Sequence, residues 1–195
     1  MSLNQFEALA SIIQSRRTIK AAQMNGVAIP QQDIQDILAL ADWAPTHGRT
    51  EPWRFEIFHK EHFNDFCLAH AEMYKKSVDE TAFSIDRYNL LLQPAATASH
   101  LIVVYMKRTP ATKIPVMEEE AATAAAIQNL LLGATAKGIA SIWNTGGMFF
   151  SEAMHQYFNL EADDRLMGFI YLGYTDQEAK EGTRKIPLDQ KVTWR

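Results

Sequence analysis

A layered α/β or α+β fold is predicted by three stretches of the chain. Leu101–Met106 is a continuous β-prone run, Leu166–Gly173 is a second, and between them Val116–Lys137 reads as a helix apolar on nearly every face. Strands that alternate with helices must cover their sheet faces with those helices, which gives a mixed layer. At 195 residues the chain fits one domain, 1–195.

The elements follow in order. Ser2 and Gln5 have capping-box spacing, and Leu3, Phe6, Leu9, Ile12 and Ile13 come at helical intervals up to Arg16-Arg17-Thr18. Pro30 suits the first residue of a second helix, whose apolar face is Ile34, Ile37, Leu38 and Ala41 and which Pro45 ends. Arg54–His59 alternates apolar and polar side chains, as a half-covered strand does. Residues 61–92 are mainly helical, with loose periodicity. Leu101–Met106, without polar breaks, fits a central strand. Thr109–Pro115 is a loop. The all-round apolar helix Val116–Lys137 must be buried on several sides, and a second subunit is expected to cover part of it. Gly138 suits its left-handed C-cap. Ile139–Asn144 is a short extended run opening into Gly146-Gly147, a short helix follows from Ser151, and the tail from Glu178 is polar.

Composition excludes several partners. A net charge of −4, from 19 Lys and Arg against 23 Asp and Glu, offers no general field for nucleic acid or an anionic membrane. No apolar run is long enough to span a bilayer, and residues 1–7 lack the pattern of a secretory leader, so the cytoplasm is expected. One cysteine, Cys67, allows no internal disulfide and reads as a spectator thiol. The histidines have no metal spacing, and Glu118-Glu119-Glu120 reads as a helix N-terminal charge set, so no metal is expected.

Three clusters carry possible chemistry. Arg16-Arg17-Thr18-Ile19-Lys20 gathers three cations and a hydroxyl at a helix exit. Guanidinium forks, an ammonium and a hydroxyl match a phosphate, although cations there also complement the negative end of the preceding helix. Between the second helix and the first strand lie His47, Arg49 and Trp53, which can donate to a ligand or wall it, or else simply shape a turn. Trp143-Asn144-Thr145-Gly146-Gly147 follows an extended run, and its glycines permit close backbone approach to a ring or anion. No P-loop is present, and no dinucleotide-binding glycine motif follows a strand.

The order of these blocks resembles the nitroreductase family of FMN proteins, in its compact single-domain branch, over nearly the whole chain. Arg16–Lys20 resembles the family's phosphate motif, and Ala44-Pro45-Thr46-His47 through Glu51-Pro52-Trp53 resembles the loop before its first strand. Ala124–Gly138 is similar to its central helix, Ser141–Gly147 to the loop against the flavin, and Arg184, Pro187-Leu188 and Val192-Thr193-Trp194 to its C-terminal tail. The resemblance implies an α+β nitroreductase-like fold with a mixed, mostly antiparallel sheet, an intertwined homodimer, and FMN at the subunit boundary. It implies that Arg16, Arg17, Thr18 and Lys20 hold the phosphate and ribityl end, with Arg184 adding to that clamp. His47 would reach the flavin from the partner chain with Trp43 nearby, and Trp143, Asn144 and Thr145 would line the ring system. Residues 135–140 would border the nicotinamide. Thr18, Lys20, Arg49 and Glu51 stand where Ser, Arg, Asn and Gln are usual in the family. Lys in particular gives up a bidentate fork.

The activity so implied is a ping-pong exchange: NADH or NADPH delivers an electron pair, and a nitroaromatic, quinone or enone collects it. The cofactor carries the chemistry and the protein positions it, so no catalytic side chain is assigned. The alternatives are a flavin enzyme of the same fold that dehalogenates or fragments flavin, and a non-catalytic dimeric helical protein.

Overall fold

The computed structural model describes residues 4–110, 113–178 and 180–195. Ser2 and Leu3 of the expected first cap and face, and Ala111 and Thr112 of the expected loop, lie outside them. Seven α-helices and four strands alternate among the described residues: α1 (Gln5–Ser15), α2 (Gln31–Ala41), β1 (Trp53–His59), α3 (Lys60–Ser77), α4 (Ile85–Leu92), α5 (Pro94–Thr97), β2 (His100–Met106), α6 (Val116–Ala136), β3 (Ala140–Asn144), α7 (Glu152–Tyr157) and β4 (Arg165–Gly173).

The sheet order is β1-β2-β4-β3, and every strand pair is antiparallel. One parallel bridge, Thr18 with Ser141, lays the segment after α1 beside the start of β3, with the Ile19 N–H on the Ser141 carbonyl at 3.0 Å. The four strands themselves pair antiparallel, with this single parallel bridge beside them. β2 lies between β1 and β4 and is buried almost throughout, which explains its unbroken apolar run. β1 is an edge strand, so its alternation survives.

Two cores lie on opposite sheet faces. Ile102, Val104, Ile170 and Leu172 meet Ile37, Ile127, Leu130 and Ala134 of α2 and α6 on one face. Leu101, Val103, Phe169 and Tyr171 meet Phe63, Phe66 and Met154 of α3 and α7 on the other. α6 packs on α2 through Gly133, where a Cβ would press on the Leu40 side chain. Its C-cap is Lys137, and Gly138 follows with φ +71°, the left-handed residue its position predicts.

Two expected boundaries are corrected. α1 is capped by Asn4, which accepts the Glu7 N–H while the Glu7 carboxylate accepts the Asn4 N–H; a complete capping box at Asn4 therefore starts the helix at Gln5. α2 ends at Ala41 with Asp42 as C-cap, four residues before Pro45, and tight turns from Leu40 and Ala41 carry the chain to Ala44; the Asp42 carboxylate accepts the Trp53 indole N–H at 2.9 Å. Trp53 is buried, so Asp42→Ala leaves that N–H without a partner. The expected loss is about 1–3 kcal/mol in urea unfolding, whereas Asp42→Asn should recover most of it. The short helix α5 was not expected; Pro94 stands at its first position.

Candidate active site

A cavity of about 300 Å³ opens on the α3 face, between the turn after β3 and the segment joining α4 to α5. Its walls include Lys20, Leu91, Pro94, Ile142, Asn144 and Gly147. Strand period decides which residues of β3 reach it. Ile142 pairs with Tyr171, and both line the cavity. Trp143 pairs with Ile170 and so belongs to the opposite face, where its indole N–H donates to the Met167 carbonyl at 2.8 Å over Gly168. Of the three residues expected against the flavin, the structure thus brings Asn144 into the wall and turns the Trp143 side chain away within the protomer. Thr145 follows at the exposed rim.

The basic segment meets the cavity through Lys20 and reaches β3 through the Thr18 bridge. The backbone is extended at Lys20, which lines the cavity, whereas Arg16 and Thr18 do not. Arg17 is engaged by the chain itself: its guanidinium donates to the carbonyls of Lys180, Gln14 and Arg16 at 2.6–2.8 Å. The side chains of Arg16, Thr18 and Lys20 make no hydrogen bond or ion pair among the described residues. Two uncommitted cations and a hydroxyl within five residues fit a phosphate group, and the apolar wall of Leu91, Pro94 and Ile142 fits a ring.

The other expected residues stand elsewhere in the protomer. His47 Nδ1 is 2.5 Å from Glu118 Oε2, and the two line a separate hollow with Ala121 and Ala125. Trp43 is exposed just after α2, and Arg184, in the exposed tail, donates to the carbonyl of Thr183. The loop from His47 is unusual in its backbone: Gly48, Arg49 and Glu51 all have positive φ, which two of the three residue types adopt only under constraint. The acidic run at the start of α6 is engaged within the protomer, Glu118 by the His47 ring, Glu119 by Arg108 and Glu120 by Arg165. No group of three or more metal-ligating side chains occurs among the described residues.

Sequence reasoning missed His70 and Tyr171, both buried in the cavity wall. His70 sits among Phe63, Phe66, Cys67, Ala71 and Tyr74 at helical spacing, and a histidine on an apolar helix face was the available signal. Burial raises the Tyr171 hydroxyl well above its usual pKa, so it stays protonated and able to donate. Burial likewise pushes the Cys67 thiol up to about 12, which makes it the inert thiol expected. A larger cavity, about 520 Å³, lies on the other face beside Ile34, Leu38, His59 and His100, and no sequence-predicted site residue lines it.

An α+β chain with a four-stranded antiparallel sheet, uncommitted cations on the segment after α1 and an apolar cavity beside it has the parts to hold a nucleotide-type cofactor. Comparison with known proteins supplies the family. The profile of the nitroreductase family matches residues 13–174. YfhC of Bacillus subtilis (strain 168), which bears the name of an NAD(P)H nitroreductase, is 32% identical over 193 residues, covering 98% of this chain and 96% of that protein. Among solved structures, a nitroreductase-like family protein from Bacillus cereus superposes with a TM-score of 0.82 at 26% identity, covering 100% of this chain and 99% of that one. The FMN-dependent nitroreductase NfnB from Mycobacterium smegmatis, in complex with NADPH, has the same fold at 17% identity and a TM-score of 0.76, covering 98% and 100%. The chain belongs to the nitroreductase family. No helix among the described residues is long and apolar enough to cross a membrane.

Proposed function

We propose that the chain, acting as one domain over 1–195, is an FMN-dependent oxidoreductase that moves electron pairs from NADH or NADPH to a small nitroaromatic, quinone or enone. The observation that carries this reading is the basic segment 16–20, in which the side chains of Arg16, Thr18 and Lys20 are uncommitted among the described residues, Lys20 lines the cavity, and Thr18 bridges to Ser141 in the strand that leads into the Asn144–Gly147 turn. FMN, when bound, supplies the two-electron carrier. The protein's part is placement. Arg16, Thr18 and Lys20 hold the phosphate end, Ile142, Leu91 and Pro94 give the rings a flat wall, and the Gly146–Gly147 turn lets backbone approach them. Arg17 serves the same end indirectly, by pinning the tail that leads to Arg184.

The working form is a cytoplasmic homodimer. α1 buries none of its residues, and Phe6, Leu9 and Ile13 stand exposed along one of its faces. Met117, Phe150, Leu188 and Trp194 add to the uncovered apolar surface. An isolated protein rarely exposes this much, and a second copy that covered it would bring its own Trp43 and His47 towards the cavity.

Apoprotein mixed with FMN should turn yellow, and anaerobic NADH or NADPH should then bleach the flavin absorbance, which the right acceptor restores. Protein that stays colourless with FMN would refute the reading. A yellow protein that neither nicotinamide bleaches would retain the flavin and reject the donor.

A further inference from the structure

The Gly146–Gly147 turn rests on an uncharged ring. His70, 2% exposed on α3, accepts the Met148 N–H on Nε2 at 2.8 Å. A ring nitrogen that accepts carries no proton, so the single proton of the neutral ring is on Nδ1. Burial pushes the pKa of His70 down to about 4, which keeps the ring in that neutral form at ordinary pH. Phe66 and Phe169 flank it, each with its centroid 5.7 Å away. Gly147 lies against the ring edge with φ +69°, and a Cβ there would overlap Nε2 and Cε1 of His70. At the other end of the turn, the Asn144 side chain accepts the Gly146 N–H at 3.3 Å. Between these ties the N–H groups of Thr145 and Gly147 have no acceptor among the described residues.

Resting on the flavin reading above, we propose that His70 is a positioning residue for the cofactor: its bond to Met148 and its contact with Gly147 fix the turn at the cavity wall and leave the Thr145 and Gly147 amides for the ligand. The residue acts through the turn, and no proton transfer is asked of it. A leucine in its place would fill the same helix face but leave the Met148 N–H without an acceptor. The position therefore asks for an acceptor as well as for bulk.

The test uses the whole chain. In the wild type stripped of FMN, heteronuclear NMR should find His70 neutral with its proton on Nδ1, and the Met148 amide protected from exchange. A proton on Nε2, or rapid exchange at Met148, overturns the proposal without any variant. His70→Leu should weaken FMN binding about tenfold and shift the midpoint potential of the bound flavin. His70→Gln, which keeps an acceptor, should recover part of both. A folded His70→Leu with unchanged FMN affinity and potential overturns the proposal; should that variant not fold, the two NMR observations still decide. Wild-type protein that takes up no FMN defeats the flavin reading itself. Wild-type uptake matched by His70→Leu defeats only the role given to His70.

Discussion

Replacing Arg16 and Lys20 together with alanine is expected to weaken FMN binding about 10²–10⁴-fold. Each charge-assisted hydrogen bond to a phosphate contributes about 1.5–3 kcal/mol, two are removed, and about 1.4 kcal/mol corresponds to a factor of ten. Neither side chain has a partner of its own among the described residues, so the substitution leaves no protein group stranded. The loss should therefore appear in binding, with the thermal unfolding of the apoprotein little changed. Fluorescence titration of the apoprotein with FMN measures the effect, and riboflavin, which lacks the phosphate, provides the control. The double variant should bind riboflavin as the wild type does, and the salt dependence of FMN binding should fall, since two cations are gone. An equal loss for both ligands would place the two residues against the ring system and contradict the phosphate assignment. Arg17→Ala is the internal contrast. Its guanidinium is already committed to three carbonyls, so that variant should loosen the tail around Lys180 and move FMN affinity far less.

That contrast shows where sequence reading stops. Arg16 and Arg17 are chemically identical neighbours, and a phosphate motif claims both. They separate only once a carbonyl from position 180 reaches one of them, a contact between residues 163 apart that no local pattern contains. Trp143 and Asn144 also separate: the strand runs to Asn144, and with a period of two they cannot share a face. Elements whose burial is uniform were legible, because their composition records it. β2 is apolar throughout since both its faces are covered, and α6 is apolar all round since it meets α2, all four strands and α1. His70 escaped because the expected signal for histidine chemistry was a cluster, whereas its work is done alone, on a backbone N–H 78 residues away. His47 and Trp43 stand apart from the cavity within one protomer, a separation that no local pattern contains.

Glu119→Ala should destabilise the fold by about 3–5 kcal/mol, the usual cost of breaking a buried ion pair by removing one side. Glu119 is 1% exposed in the first turn of α6. Its carboxylate takes hydrogen bonds from the Arg108 guanidinium and from Thr109 Oγ1, the latter at 2.7 Å. Arg108 also donates to the Ile114 carbonyl at 2.8 Å, so one cluster joins the exit of β2 to the start of α6. Without the carboxylate, a half-buried guanidinium and a hydroxyl lose their shared acceptor. Burial alone would raise the Glu119 carboxyl, but the bonds from Thr109 and Arg108 outweigh it and hold the group below the ordinary carboxylate range. A carboxyl depressed in the folded state contributes stability that is complete above its unfolded pKa and is lost as pH falls through the folded value. The wild type should therefore lose stability on acidification below the normal glutamate range more steeply than Glu119→Ala, and the gap between their urea midpoints should narrow there. Removing both charges separates pairing from mere burial: Arg108→Met with Glu119→Leu should lie much closer to the wild type than Glu119→Ala alone, since an apolar pair of similar volume often replaces a buried ion pair at little cost. If the double variant were as unstable as the sum of its two singles, Glu119 would be supporting α6 by some route other than Arg108, and the join between β2 and α6 would have to be sought in Thr109.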